Sequence, residues 1–104
     1  MTLAEIQALV VSCDSKAGHY ESASQSKTGY TVWREVRRLN TLADDEHAEA
    51  WAFQIDRFTK SENDTVAAAL FAALDADDRI AFEYMVDYEP DTRWIHHVFD
   101  AEDY

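Results

Sequence analysis

The chain is poor in the residues that carry covalent chemistry or interrupt secondary structure. Its 104 residues include one cysteine, one proline and two glycines. A single cysteine excludes an internal disulfide, and Cys13 falls at an apolar position of a predicted helix, where a buried free thiol is the usual state. With only Gly18 and Gly29, the chain also has no glycine-rich phosphate-binding loop.

Basic residues are scarce as well. The chain has 9 lysines and arginines against 21 aspartates and glutamates, for a formal net charge of -12. Such a charge repels phosphate backbones and anionic lipid, so specific binding to nucleic acid or to a membrane surface is not expected. The one basic cluster is Arg34, Arg37 and Arg38.

Long apolar runs are missing too. No run approaches the roughly 20 residues that span a bilayer, and no positively charged leader precedes an apolar stretch. The sequence therefore predicts a cytoplasmic protein with no membrane partner.

The hydrophobic content is nevertheless that of a folded protein. Apolar residues make up 47% of the chain and aromatic residues 12%. This is ordinary globular composition, and the length allows one core. A single domain over residues 1–104 is expected.

Residues 50–74 hold the clearest pattern. Polarity alternates over residues 50–58, with Trp51, Phe53 and Ile55 on one face and polar side chains on the other, which predicts a half-buried strand. The next residues favour local turns, and we predict that Ser61 or Asn63 caps a following helix. The apolar residues that then recur at helical spacing are Val66, Leu70 and Leu74.

The chain begins with a second predicted helix. Thr2 and Glu5 have the spacing of a capping box, which predicts a helix from about residue 3 that runs for three turns. Residues 14–18 supply the stop, with Gly18 able to adopt positive φ. Residues 19–28 are polar and lack a period, as is typical of a surface loop.

Residues 30–39 predict a strand that is partly apolar on both faces. The alternation places Tyr30, Val32 and Val36 on one side, and the opposite side takes Trp33, Arg37 and Leu39. Two roles stay open for Trp33: it contacts a neighbouring subunit, or it covers the end of the core. Residues 40–48 are predicted to form an acidic hairpin tip.

Two further strands complete the prediction. Residues 80–88 alternate with a strongly apolar side, residues 89–92 form a proline turn, and residues 94–99 return before an acidic tail at 100–104. The order is then α-β-β-α-β-β. We expect a two-layer α+β domain, with both helices on one face of a four-stranded antiparallel sheet.

Nothing in the sequence predicts catalysis, a metal or a cofactor. Adjacent residues of a strand point to opposite faces, so His96 and His97 cannot both bind one metal, and His19 or His47 would have to join one of them. A catalytic Cys13 would need an exposed setting and a histidine partner. An enzyme is not expected.

Several segments together resemble the small tail-completion, or tail-terminator, proteins of long-tailed bacteriophages and prophages. The resemblance covers nearly the whole chain, and the segments that carry it are GYTVW at 29–33, TLADDE at 41–46, FQIDRFTK at 53–60, DYEPDT at 87–92 and IHHVF at 95–99. The third segment is similar to the family's strand of the form xQIDxxTK. Gly29 departs from the family, which usually has proline there, and this leaves the entry into the first strand open.

The resemblance implies a structural subunit rather than an enzyme. Subunits of this family assemble into a ring, commonly a hexamer, at the end of the tail tube, where the ring meets the head-completion proteins. The chain would be cytoplasmic in a bacterial host and part of the virion tail once assembled. The candidate interface residues are Trp33, Arg34, Arg37, Arg38, Asp44, Asp45, Trp94 and Tyr104.

Two other functions compete with this interpretation. A small acidic chain can mimic DNA and inhibit a basic nuclease, as phage anti-defence proteins do, and this needs acids concentrated on one convex face. The acids here are spread through predicted loops, which favours the tail protein. The third possibility is an adaptor domain with no phage connection.

Overall fold

A computed structural model describes residues 1–22, 27–39 and 49–103. It is an α+β fold in which two helices pack on a five-stranded mixed sheet. The elements in chain order are α1 (Leu3–Cys13), β1 (Gly18–His19), β2 (Gly29–Arg38), β3 (Trp51–Thr59), α2 (Thr65–Ala76), β4 (Ile80–Glu89) and β5 (Trp94–Asp103). No helix among the described residues is long and apolar enough to cross a membrane.

The strands lie in the order β1-β2-β3-β5-β4. The four long strands are antiparallel to their neighbours, as predicted. Because β5 lies between β3 and β4, those two strands run in the same direction, and α2 is the crossover between them. This arrangement places β4 at one edge of the described sheet.

The fifth strand is the main difference from the predicted sheet. Gly18–His19 pairs in parallel with β2, next to Val32 and Trp33. Gly18 does not use the positive φ that is open to glycine, whereas Tyr20 has a φ of 70°. Gly18 is needed for close approach instead, since a Cβ there would lie 1.9 Å from the carbonyl oxygen of Glu21.

Both helices begin at a side-chain cap. The capping box of α1 is confirmed: the Glu5 amide donates to Thr2 at 3.1 Å and the Thr2 amide donates to Glu5 at 3.0 Å. The predicted caps of α2 are wrong, because Asp64 accepts from the Ala67 amide at 2.8 Å. Asp64 has a second reason to lie there, since its carboxylate is also held by an arginine of β3.

One face of the sheet, called here the inner face, packs against the helices. The pairing registers place Phe53, Ile55 and Phe99 on it, and Leu70 and Leu74 of α2 lie buried against them. This confirms the predicted inward stripe of α2 and the predicted inner face of β3. The opposite face, called the outer face, is not covered by α1 or α2.

The alternation of β2 is interrupted by a bulge. The register with β3 shifts between Glu35 and Arg37, and Arg37 then pairs with Ala52 on the outer face. The prediction that Arg37 shares a side with Trp33 is wrong, because one extra residue reverses the alternation. Trp33 is 1% exposed, donates through Nε1 to Gln7 and belongs to the core.

The predicted acidic tail is also wrong as far as residue 103, because β5 continues to Asp103. The Asp103 side chain is buried and accepts hydrogen bonds from the Trp51 amide and the Met1 ammonium group. These two donors compensate the carboxylate. The C-terminal part of the described chain, up to Asp103, is therefore a strand of the sheet.

Candidate assembly surface

Strand β4 presents a long apolar edge. It pairs with β5 on one side, and within the described part of the chain no strand pairs with its other side. Four large residues of this strand are 40 to 54% exposed, namely Tyr84, Met85, Val86 and Tyr88. Unpaired backbone groups beside exposed apolar side chains form a template for another strand.

Met85 lies on the outer face, and the exposure of Val86 and Tyr88 arises where α2 stops covering the inner face. Phe71 of α2 packs edge to face against Phe82 and Tyr84, with ring centroids 5.2 and 5.5 Å apart. Beyond that point the inner side chains of β4 are uncovered. A depression of about 560 Å³ lies there, lined by Lys60, Glu62, Val86, Tyr88, Arg93 and Ile95.

The outer side of β4 is acidic. The register places Glu83, Asp87 and Glu89 on the outer face, and all three are exposed. Strand β4 therefore combines an apolar inner side with a negatively charged outer side.

The second half of β2 forms another exposed edge. Strand β1 pairs with β2 only at Val32 and Trp33. Beyond that pairing the exposed residues are Arg34, Val36, Arg37 and Arg38, and Val36 is 46% exposed. This edge, called the basic edge, is positively charged, in contrast to β4.

Two of the arginines of the basic edge already have contacts within the chain. Arg37 Nη2 donates to Glu102 at 3.0 Å, and the Arg38 guanidinium lies 5.8 Å from the ring of Trp51. The Arg37–Glu102 pair is exposed to solvent, and the Arg38–Trp51 contact is partly exposed. Exposed ion pairs contribute little free energy. Arg37 can therefore exchange Glu102 for a carboxylate of a partner, and Arg38 can leave the Trp51 ring, at a low cost in free energy.

A buried polar cluster lies between β3 and the start of α2. Arg57 is 8% exposed and donates to both carboxylate oxygens of Asp64, at 2.9 and 3.0 Å. Arg57 Nη1 also reaches Asp14 at 3.5 Å and Thr31 at 3.4 Å. The cluster ties α1, β2, β3 and α2 together, which is a structural role.

The charge state of Asp64 follows from these contacts. Burial raises the pKa of the Asp64 carboxyl, but the hydrogen bonds from Arg57 and from the Ala67 amide outweigh it. The pKa therefore lies below its ordinary value of 3.8. Asp64 is a stable anion that pairs with Arg57 and caps α2, and it is not a proton donor at neutral pH.

His97 lies beside this cluster on the inner face. It is 9% exposed, and Tyr84 Oη and His97 Nδ1 are 2.7 Å apart. Burial lowers the pKa of His97 and raises the pKa of Tyr84, so both side chains are neutral at pH 7. His97 Nε2 has no hydrogen-bond partner within the described chain. Both residues line a depression of about 480 Å³ beside the start of α2.

The two adjacent histidines point to opposite faces, as the sequence predicted. His96 lies on the outer face, where its Nε2 is 2.7 Å from Asp56. Among residues 1–22, 27–39 and 49–103, no group of three or more histidine, cysteine, aspartate or glutamate side chains is placed to hold a metal ion. Cys13 is partly buried and packs against the core.

The structure separates the candidate interface residues of the sequence analysis. Arg34, Arg37 and Arg38 come together on the basic edge, whereas Trp33 is in the core. Trp94 lies at the opposite end of the sheet, between the Tyr30 ring and the Lys60 ammonium group. The remaining candidates lie outside the described residues, namely Asp44, Asp45 and Tyr104.

Sequence reasoning missed β4 as an interface candidate. The apolar alternation of residues 80–88 was visible, but it does not tell whether a strand lies at the centre or at the edge of a sheet. One signal was available in the sequence. The apolar alternation of residues 80–88 makes a strand longer than the preceding helix, so the helix cannot cover all of it.

The chain was also compared with protein families and with curated proteins. No protein-family model matches the chain, and no curated protein matches it. The case for a function therefore rests on the geometry of the two edges.

Proposed function

We propose that the chain is a structural assembly subunit of the tail-completion kind. It forms a ring at the end of a phage or prophage tail tube, inside a bacterial host, and joins the tube to head-completion proteins. The observation that carries the proposal is the edge of β4, where four large apolar side chains lie beside backbone that no strand of residues 1–22, 27–39 and 49–103 pairs with.

An exposed edge of this kind is costly for a protein that works alone. Monomeric proteins protect edge strands with charged side chains, above all lysine, or with proline, bulges or a covering segment, because an open edge pairs with other chains. Strand β4 is ten residues long and has neither lysine nor proline, and its acids Glu83, Asp87 and Glu89 all lie on the outer side, so that its inner side carries no charge. Large exposed apolar patches typically mark protein–protein interfaces. Association is the use that explains this surface.

The distribution of surfaces suits a ring. A ring needs head-to-tail contacts, in which two different patches of each subunit meet. The apolar edge of β4 and the basic edge of β2 are two such patches on opposite sides of the sheet. The acidic outer face would repel DNA that passes through the ring.

A second candidate function is supported by the outer face. The acids were expected to be spread through loops, but neighbouring strands bring five carboxylates together on the outer face, from Asp56, Glu83, Asp87, Asp100 and Glu102. An acidic sheet face is the surface that a DNA mimic needs to inhibit a basic nuclease. A mimic has no use for the apolar inner side of β4, however, and this favours assembly.

The test is whether association depends on β4. We expect wild-type protein to shift from monomer to larger species with increasing concentration, as measured by light scattering. The double variant Val86→Lys/Tyr88→Lys should stay monomeric, because charged side chains on an edge strand oppose pairing. Its circular dichroism and unfolding midpoint should match those of the wild type, since both residues are exposed.

A matched control keeps the added charge but leaves β4 intact. Ala69→Lys/Ala72→Lys places two lysines on the exposed side of α2, away from the depression that Tyr84 lines. It should associate as the wild type does. Equal masses for the wild type and the β4 variant at every concentration would contradict the proposal, and monomeric inhibition of a DNA-binding nuclease would favour the mimic.

A further inference from the structure

We propose that the partner of β4 is a second copy of this chain, which contributes the basic edge of its own β2. Copies then join head to tail by forming one continuous sheet. The inference rests on the proposed function, because it takes β4 as the surface of association.

Strand directions permit this junction. Each neighbouring pair among β2, β3, β5 and β4 is antiparallel, so β4 runs opposite to β2 of the same copy. If a second copy is placed beside β4 in the same orientation, its β2 is therefore antiparallel to β4. Antiparallel pairing is the more stable ladder, and the two sheets continue with their inner faces on the same side.

Charge favours this partner over β4 of another copy. Arg34 and Arg37 lie on the outer face, which is also the face of Glu83 and Asp87. Opposite charges that face each other across neighbouring strands are stabilising, whereas like charges are destabilising. Two copies of β4 would bring acidic edges together and leave the only basic cluster of a chain with net charge -12 unused.

The apolar side chains and the pairing length agree with the junction. Val36 on the basic edge is 46% exposed, and Val86 on β4 is 54% exposed. Strand β1 blocks β2 only as far as Trp33, so Arg34–Arg38 remains for pairing within the described residues. This segment contains the bulge between Glu35 and Arg37, so the ladder of the junction is interrupted at that point. Such a segment is about the length of an ordinary strand in a sheet.

The experiment uses charge reversal on each edge of the full chain. Variant A is Glu83→Lys/Asp87→Lys on β4, and variant B is Arg34→Glu/Arg37→Glu on β2. In a solution of A alone, the junction would bring two basic edges together, and in a solution of B alone it would bring two acidic edges together. We expect the apparent Kd for self-association, from light scattering, to rise at least about tenfold in each.

Mixing the variants is the decisive step. In an equimolar mixture, the reversed β4 of A meets the reversed β2 of B, and the native β4 of B meets the native β2 of A. Both junctions are then complementary, so the mixture should recover the mass of the wild type. Far-UV circular dichroism of A and of B checks that each is folded before mixing.

Controls change net charge by the same amount at other sites. Asp75→Lys/Asp78→Lys matches A, and Lys16→Glu/Lys27→Glu matches B, with all four residues exposed. Both controls should associate with the Kd of the wild type. A change in net charge can alter how the Kd depends on ionic strength, and each control and its matched variant should show the same alteration.

The outcomes separate the two proposals. If A dissociates while B keeps the mass of the wild type, or if mixing A and B restores nothing, β2 is not the partner. The head-to-tail junction is then overturned, although association through β4 stands. If neither A, B nor Val86→Lys/Tyr88→Lys changes the mass, the proposed function fails as well.

Discussion

The inner side of β4 differs sharply between its two ends. At the end where the strand begins, Ile80 and Phe82 are partly buried and pack against the core beneath the helices. At the other end Val86 and Tyr88 are each 54% exposed. The alternation of apolar residues in β4 is the same at both ends, so the difference comes from what lies above the strand.

Helix length explains the contrast. Strand β4 has 10 residues and α2 has 12. A strand rises about 3.3 Å per residue and a helix about 1.5 Å, so the strand is roughly 33 Å long and the helix roughly 18 Å. A helix of this length cannot cover the whole strand. An apolar side chain that is not covered within the chain is available to a partner.

The prediction with the largest expected change in stability concerns the covered part of the inner face. Phe99→Ala should lower the free energy of unfolding by about 3 to 5 kcal/mol, because it removes a fully buried ring and leaves a cavity. Tyr88→Ala at the uncovered end should change it by no more than about 0.5 kcal/mol in the monomer. Urea unfolding at low protein concentration measures both. Equal losses of unfolding free energy for Phe99→Ala and Tyr88→Ala would show that the two regions are packed alike and would contradict the comparison.

The next effect concerns the polar cluster that anchors the start of α2. Asp64→Ala removes the helix cap and leaves Arg57 buried without its closest carboxylate. We expect a loss of about 3 kcal/mol, at the lower end for a broken buried pair, because Asp14 remains within 3.5 Å of Arg57. Asn63→Ala, next to it and exposed, is the control and should be nearly neutral.

Acid should also separate the Asp64 variant from the wild type. The pKa of Asp64 is lower in the folded chain than its ordinary value of 3.8. Its stabilising effect is therefore complete above about pH 4 and is lost as the pH falls through the folded-state pKa. Asp64→Asn should flatten the fall in stability below pH 4, as measured by urea midpoints from pH 5 to pH 2.

The smallest effect is a pH dependence at the boundary between the two ends, where His97 lies. Burial lowers the pKa of His97 below its ordinary value of 6.5, so the unfolded chain binds a proton more readily. Stability should thus fall as the pH drops below about 6.5. His97→Gln should reduce this slope between pH 7 and pH 5. The control His96→Gln changes the neighbouring position on the outer face, and an equal change in slope there would contradict the assignment.

Much of the local structure could be predicted from the sequence. Thr2 and Glu5 identified the start of α1, and the alternation of Trp51, Phe53 and Ile55 identified β3 and its inner face. These features depend on neighbours within a few residues, and the side chains of those neighbours are visible in the sequence. The α+β class followed from the same signals.

The errors have a common origin in contacts between distant residues. Asp64 caps α2 because Arg57 holds it there, and β1 exists because β2 offers it an edge. The bulge at Glu35 and Arg37 is a property of the pairing with β3. Aspartate is a favoured cap residue, but the pairing with Arg57 that selects Asp64 over Ser61 and Asn63 is not visible in the neighbouring residues, and neither are the contacts behind β1 and the bulge.

The sequence by itself determined the two helices and the four long strands, and the apolar side of α2, β3 and β4, because periodicity depends only on backbone geometry. Only the tertiary structure decided that β5 lies between β3 and β4, which leaves β4 at the edge. It also decided that the arginines lie on the opposite edge from the acids of β4. Strand order is set by the packing of all elements at once, and a one-dimensional pattern does not contain it.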